Sequence, residues 1–229
     1  MLSKGLTGNQ LKLIAMLTMT VDHIGALIFP SVLWLRMIGR LAYPIYAFMI
    51  AEGCTHTHSM PRYLGSVAVM AAVCQVVYFV AMGSLYQCIL VTFSMSVGVI
   101  WLLQKALQKK KAGWWLLVAL GIGSVWVITQ LLPELLPTTD FRVDYDFLGV
   151  MLPVMIWLGR NKWQKLLLAG STMFVMGLTL GWVQMLAMAA LPLLALYNGH
   201  RGKWNIKYLF YLYYPLHLVA LHGIATLLL

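Results

Sequence analysis

Acidic side chains are what this chain has least of: six aspartates and glutamates in 229 residues, against sixteen lysines and arginines. Charge of either sign is scarce, at 10% of residues, while hydrophobic residues reach 62% and mean hydropathy is +0.84. That balance excludes a soluble domain of ordinary composition and points to an integral membrane protein. Cysteine is nearly absent too. Cys54, Cys74 and Cys88 sit in or beside apolar segments with no paired spacing, which excludes a disulfide framework and a zinc site, so no metal is expected. There are no heptads, solenoid periods, low-complexity tails, soluble domains or nucleotide-binding glycine loops. Function is therefore expected within one membrane domain, 1–229. The first apolar run is too long for a signal-peptide core and carries Lys12 and Asp22, so the N-terminus is expected to be retained.

What is present is a series of apolar runs. A bilayer core of about 30 Å needs about 20 apolar residues, fewer where a helix is short. Segmenting on that length gives nine candidates, at 9–30, 35–55, 63–82, 86–106, 113–133, 145–159, 163–178, 180–197 and 206–228. The fold class expected is all-α, a polytopic membrane helix bundle. Thr7 with Gln10 has capping-box spacing, Pro30-Ser31 closes the first run, and Met60-Pro61 opens the third. Pro133, Pro137 and the polar run 138–146 separate the fifth and sixth, and Asn198-Gly199 is a turn. The run 171–196 is interrupted only by Gly177 and Gly181, so eight spans is the alternative count.

The net charge of +10 invites a nucleic-acid reading, but basic cytoplasmic loops account for most of it. With the N-terminus inside, Lys4, Arg62, Lys105, Lys109, Lys110, Lys111, Arg160, Lys162, Lys165, Arg201, Lys203 and Lys207 all fall in inner loops. These are twelve of the sixteen basic residues. The outer stretches hold Arg142 among Glu134, Asp140, Asp144 and Asp146, with Arg36 at an outer helix entrance. Nine spans with a cytoplasmic N-terminus fit, the lipid bilayer is the partner, and no nucleic acid is expected.

Against that apolar background the segment 11–52 holds Lys12, Asp22, His23, Arg36, Arg40 and Glu52. Ionisable groups at bilayer depth cost at least about 2.5–3.5 kcal/mol each, which marks them as functional candidates. Lys12 and His23 lie eleven residues apart on one helix face, about 16 Å along the axis. An imidazole there suits proton transfer or nucleophilic attack near neutral pH. Asp22 is adjacent in sequence and faces elsewhere. Its natural partners are Arg36 and Arg40, i and i+4 on the next run, as part of a site or as an ion pair that holds the first hairpin. Glu52 has His56 and His58 close by. The last run carries Tyr211, Tyr213, Tyr214, Pro215, His217 and His222; Pro215 frees a backbone carbonyl, and His217 lies about one turn beyond Tyr213 and Tyr214. Asp144 and Asp146 either meet a cationic acceptor or form a solvated acidic loop.

Four stretches resemble the TraX family of membrane proteins: LTGNQLKLIAMLTMTVDHIG at 6–25, RMIGRLAYPIYAFMIAEGCTHT at 36–57, YNGHRGKWNIKYLFYLYYPLHL at 197–218 and, more weakly, DYDFLGV at 144–150. The QCILVTF stretch at 87–93 departs from the family pattern, which has an asparagine near Cys88. The resemblance implies a polytopic acetyltransferase of the kind that acetylates pilin N-termini from cytosolic acetyl-CoA. It also implies a looser likeness to membrane acyltransferases acting on sugars. The motif positions here are Lys12, Asp22, His23, Arg36, Arg40, Glu52, Asp144, Tyr197, Asn198, Tyr214, Pro215 and His217. On that footing His23, Asp22, Arg40 and His217 are the expected catalytic residues, and Lys12, Arg36, Tyr214 and Asn198 are expected to hold acetyl-CoA. The acceptor is a protein N-terminus or a surface glycan or lipid, and the location a bacterial inner membrane. A small proton-coupled transporter with an Asp22–His23–Arg40 relay is one rival, and a noncatalytic membrane scaffold is another.

Overall fold

The computed structural model describes residues 5–203 and 207–228, without the side chains at 207, 208, 210 and 211. Lys4 and the side chains of Lys207 and Tyr211, used above for charge and for a polar face, lie outside the described residues. Among the described residues every regular element is helical, apart from isolated bridges pairing Leu6 with Tyr197 and Gln87 with Val143. In order these are α1 (Gly8–Leu27), α2 (Leu33–Gly39), α3 (Ala42–His56), α4 (Met60–Met82), α5 (Ile89–Lys109) and α6 (Ala112–Trp126). There follow a π-helical turn at Val127–Leu131, α7 (Leu132–Leu135), α8 (Asp146–Leu158), α9 (Lys162–Leu180) and α10 (Trp182–Met185). A 3-10 segment at Leu186–Ala190 leads into α11 (Leu191–Ala195), and α12 (Lys207–Leu228) closes the chain.

The helices gather into two compact units, Met1–Met49 with Asn161–Leu229, and Ile50–Arg160. In the second unit α4, α5 and the continuous Ala112–Leu135 stretch are long and apolar enough to cross a bilayer; α8 is a shorter apolar helix. Its core is aliphatic, with Val97 and Ile100 of α5 and Val150 and Val154 of α8 fully buried. Outward, α4 shows Val69, Val73, Val76 and Val80, the last 78% exposed. Such an apolar stripe is stable against lipid and not against water. Pro153 withholds one helical donor inside α8, and hydroxyls of α5 reach carbonyls of this segment, Ser96 donating to Val150 O at 2.8 Å within the helix and Thr92 to Asp144 O at 2.9 Å just before it.

Several boundaries differ from the sequence expectation. The run 35–55 is two helices, broken at Arg40-Leu41, because Arg36 and Arg40 are drawn onto Asp22 of α1. Pro133 does not end the sixth helix; the π turn before it widens the backbone where the ring would strike the preceding turn. The run 171–196 is not one helix. Gly181, at φ +108°, ends α9, and α10 returns so closely that a Cβ on Gly177 would meet the Met185 Cβ at 2.8 Å. The expected capping box is present: Thr7 N–H donates to Gln10 Oε1 at 2.8 Å and Gln10 N–H to Thr7 Oγ1 at 3.3 Å.

Candidate active site

In the first unit, α1 presents two polar clusters from consecutive residues. Asp22 carries one. Its Oδ2 accepts from Arg36 Nη1 at 2.7 Å and its Oδ1 from Arg40 Nη2 at 2.7 Å, so both carboxylate oxygens are taken. Gly39 makes this approach feasible, since a Cβ there would overlap the Asp22 carboxylate. Arg40 is anchored twice more, its Nε donating to Arg36 O and its Nη1 to Gln184 Oε1, each at 3.2 Å. Side-chain exposure is 14% for Asp22, 13% for Arg40 and 34% for Arg36. Two guanidinium cations against one carboxylate leave the cluster with one positive charge at a largely buried site, which suits it to meet an anion.

His23 carries the second cluster. Its Nδ1 lies 2.9 Å from Met19 O and 3.3 Å from Nε2 of His217, whose own Nδ1 lies 2.9 Å from Tyr213 O. A backbone carbonyl can only accept, so neutral His23 and His217 both carry their proton on Nδ1. His217 then offers a bare Nε2 to the His23 N–H. The remaining lone pair of the couple is on His23 Nε2, and that is the nitrogen left to take a proton or attack carbon. Aromatic packing fixes the rings: Tyr213 stacks on His217 at 4.9 Å and 6°, Tyr214 meets it edge-on at 5.5 Å, and the two imidazoles are T-shaped at 5.0 Å. The Tyr213 and Thr20 hydroxyls are hydrogen-bonded. His217 is buried, and His23 is half-buried.

The structure thus gathers Asp22, Arg36 and Arg40 in one cluster and His23, His217 and Tyr214 in the other. Lys12 is half-buried near the start of α1, about 16 Å along the axis from His23. Asn198 belongs to a loop that covers the N-terminus of α1, where Gly8 and Asn9 N–H donate to His200 and Arg201 carbonyls. The Asn198 side chain there donates to Gly5 O and accepts from His200 N–H. Glu52 meets His56 at 3.4 Å, as its i,i+4 spacing predicts. His58 instead lines a cleft of 660 Å³ in the second unit, with Trp101, Lys105 and Trp157. Asp144 accepts from the Tyr86 hydroxyl at 2.8 Å. The sequence reading passed over Gln184, Thr20 and Gly39; a single amide inside the apolar run 180–197 was the signal that could have singled out Gln184.

The family model described as TraX protein matches residues 7–225, which contain all of both clusters. The chain belongs to the TraX family. Within the TraX family's reach it resembles the probable fimbrial assembly protein FimC, serogroup H1, of Dichelobacter nodosus, 28% identical over 237 residues and covering 93% of each chain. A shorter likeness, 45% identity over 38 residues, links it to the uncharacterized protein RP591 of Rickettsia prowazekii (strain Madrid E), over 17% of this chain and 15% of that one. No solved structure matches. TraX membership and the long apolar helices together make this a multi-pass membrane protein.

Proposed function

We propose that this TraX-family protein is an acetyltransferase that moves an acetyl group from acetyl-CoA to an amine at the N-terminus of a pilin-like protein. The observation that carries the proposal is the His23–His217 couple, in which the His217 Nε2 lone pair is taken by the His23 N–H and His23 Nε2 is left, among the described residues, as the ring nitrogen whose lone pair accepts no hydrogen bond. His23 Nε2 takes the proton from the acceptor amine as that nitrogen bonds to the thioester carbon, then returns it to the sulfur whose bond to carbon breaks. The products are the acetylated amine and the free thiol. His217 positions His23 through the shared hydrogen, and the positive charge left on the Asp22–Arg36–Arg40 cluster suits the donor's anionic groups or the developing oxyanion. The fimbrial assembly name of the D. nodosus relative supports a pilin-like acceptor over a surface glycan or lipid.

In the same reading the bundle is one functional domain of nine spans in a bacterial inner membrane, with its N-terminus in the cytoplasm. The charge pattern supports that orientation. In the second unit the helix ends near Arg62 and Lys105 share one cleft, while Asp144 lies against the opposite end of α5. A proton-coupled carrier is disfavoured, because both Asp22 oxygens are already held by arginines and a relay carboxylate must exchange protons. The test is to incubate purified protein in vesicles with radiolabelled acetyl-CoA and a membrane extract. Label entering a protein N-terminus is expected. Label in glycan or lipid would change the acceptor, and no label anywhere would end the enzyme reading.

A further inference from the structure

No step of the acetyl transfer proposed above uses the 660 Å³ cleft of the second unit. Its volume is that of a small-molecule site, about 300–1,000 Å³. The walls come from three helix ends: the α3–α4 connection, the last turns of α5 and the last turn of α8. Both α4 and α5 are long and apolar enough to cross a bilayer, so the place where one begins and the other stops is the membrane–water boundary. Along α5, Trp101, Gln104, Lys105 and Gln108 recur at i, i+3, i+4 and i+7 and form one face, which lines the cleft. Gln104 Nε2 donates to Cys54 O at 3.3 Å, and this bond ties that wall to the end of α3.

The cleft carries charge of one sign. Lys105 is half-buried in its wall, and among the described residues no carboxylate lines the cleft or pairs with Lys105. Glu52, on α3, pairs with His56 and lies outside the lining. The start of α4 opens into the same space, and Ser59 makes no side-chain cap there, so the positive end of this 23-residue helix adds to the lysine. Orientation in the membrane does not require a lysine in this wall, because Lys109, Lys110 and Lys111 supply basic charge from exposed positions just beyond it. Trp101 and Trp157, both half-buried, add the amphipathic rings that suit headgroup depth, and Leu107 gives the cleft an exposed apolar edge. We propose that this cleft binds the phosphate of an anionic phospholipid, with Lys105 on the phosphate, Gln108 on the headgroup and the two indoles against the glycerol and first acyl carbons. Coenzyme phosphates share that chemistry, but at the membrane–water boundary the bilayer itself supplies the anion. The site stands whether or not the protein transfers acetyl groups.

The test titrates dioctanoyl phosphatidylglycerol, dioctanoyl phosphatidylcholine and coenzyme A, each separately, into the full chain in a non-ionic detergent and follows binding by calorimetry. Phosphatidylglycerol should saturate a single site per chain; phosphatidylcholine, whose phosphate is neutralised within its own headgroup, should bind more weakly. Lys105→Gln keeps a long polar side chain without the charge and should weaken phosphatidylglycerol binding about fivefold or more, the worth of one basic side chain at an anionic headgroup. Lys109→Gln, exposed and outside the lining, should change it by less than about twofold. Gln108→Glu sets a like charge at the exposed rim and should also weaken binding, so the outcome does not depend on Lys105→Gln accumulating. Equal binding of the two lipids, or phosphatidylglycerol affinity unchanged in both cleft variants, would overturn the proposal. An equal loss in Lys109→Gln would overturn it too, by reducing the effect to general surface charge. Saturable, Lys105-dependent binding of coenzyme A in place of phosphatidylglycerol would overturn the lipid assignment and give the cleft to a soluble nucleotide.

Discussion

The two units of this protein spend their polar side chains in opposite ways. In Ile50–Arg160 most of those described are tied to backbone: Gln75 bonds Tyr86 O and Cys88 N–H, Thr92 bonds Asp144 O, and Ser96 bonds Thr92 O and Val150 O, with the Tyr86 hydroxyl on the Asp144 carboxylate as an exception. Helices there run long, up to the 24 residues of Ala112–Leu135. In Met1–Met49 with Asn161–Leu229, side chains bind other side chains far away in sequence: Asp22 with Arg36 and Arg40, Arg40 with Gln184, His23 with His217. Helices there are broken at Arg40-Leu41 and at Gly181. Polar groups that mend backbone allow regular helices in lipid. Polar groups that must meet one another at fixed geometry require breaks, and a unit that accepts such breaks is organised for chemistry.

The strongest way to break this contrast is to remove the reacting group. His23→Ala should lower acetyl transfer by about 10²–10⁴-fold, the usual worth of a positioned acid–base, while the protein still inserts and accumulates. If Asp144→Ala caused that loss and His23→Ala did not, the chemistry would belong to the other unit. Next in size is Asp22→Ala. It strands two guanidiniums at a mostly buried site, a change that costs about 3–5 kcal/mol, read as loss of unfolding stability in detergent. Gly39→Ala should destabilise in the same direction, because its methyl group would displace the Asp22 carboxylate from both arginines. An Asp22→Ala protein as stable as wild type would show that the ion cluster does not hold α2 to α1.

How much of this was legible in the sequence depended on distance along the chain. The Thr7–Gln10 box and the Glu52–His56 pair involve neighbours three or four residues apart, where helix geometry alone decides the contact. Asp22 with Arg36 and Arg40 was legible for a different reason: charges in an apolar run must find each other. Asn198, expected at the acetyl-CoA site, lies in the loop over the start of α1, where its amide binds backbone groups on either side. Gln184 was not legible, because an amide tolerates many partners and only packing brought it to Arg40, 144 residues away. The break at Arg40-Leu41 was hidden for a related reason. Apolar periodicity continues across it, and the arginine pull that interrupts the helix comes from another element.

The second unit offers the smaller tests, where loss should touch stability and spare transfer. Tyr86→Phe deletes a hydroxyl that donates to Asp144 at 2.8 Å, and hydrogen bonds to charged groups contribute about 1.5–3 kcal/mol. Unfolding should come earlier by that amount with the transfer rate unchanged. A Tyr86→Phe protein that is stable but inactive would make the Asp144 knot part of the site and erase the contrast.

The slightest effect expected is at Asp140, in the connection before α8. The Ser84 hydroxyl, and after it the Leu85 N–H at 2.8 Å, hold its carboxyl below the usual carboxylate range. A carboxylate whose folded pKa lies below its unfolded one contributes stability above the unfolded value and loses it as pH falls through the folded one. Protection of the Leu85 amide from hydrogen exchange should therefore be constant near neutral pH and decline only below the ordinary carboxylate pKa, 3.8. Asp140→Asn keeps an acceptor oxygen without the charge and should flatten that decline. Because Asp140 is fully solvent-exposed, water and salt screen the interaction, so added salt should shrink the wild-type pH response toward the variant's. A decline that survives in Asp140→Asn would move its origin to the neighbouring Asp144 or Asp146, and with it the titrating group that ties the 84–87 segment to the 140–144 segment.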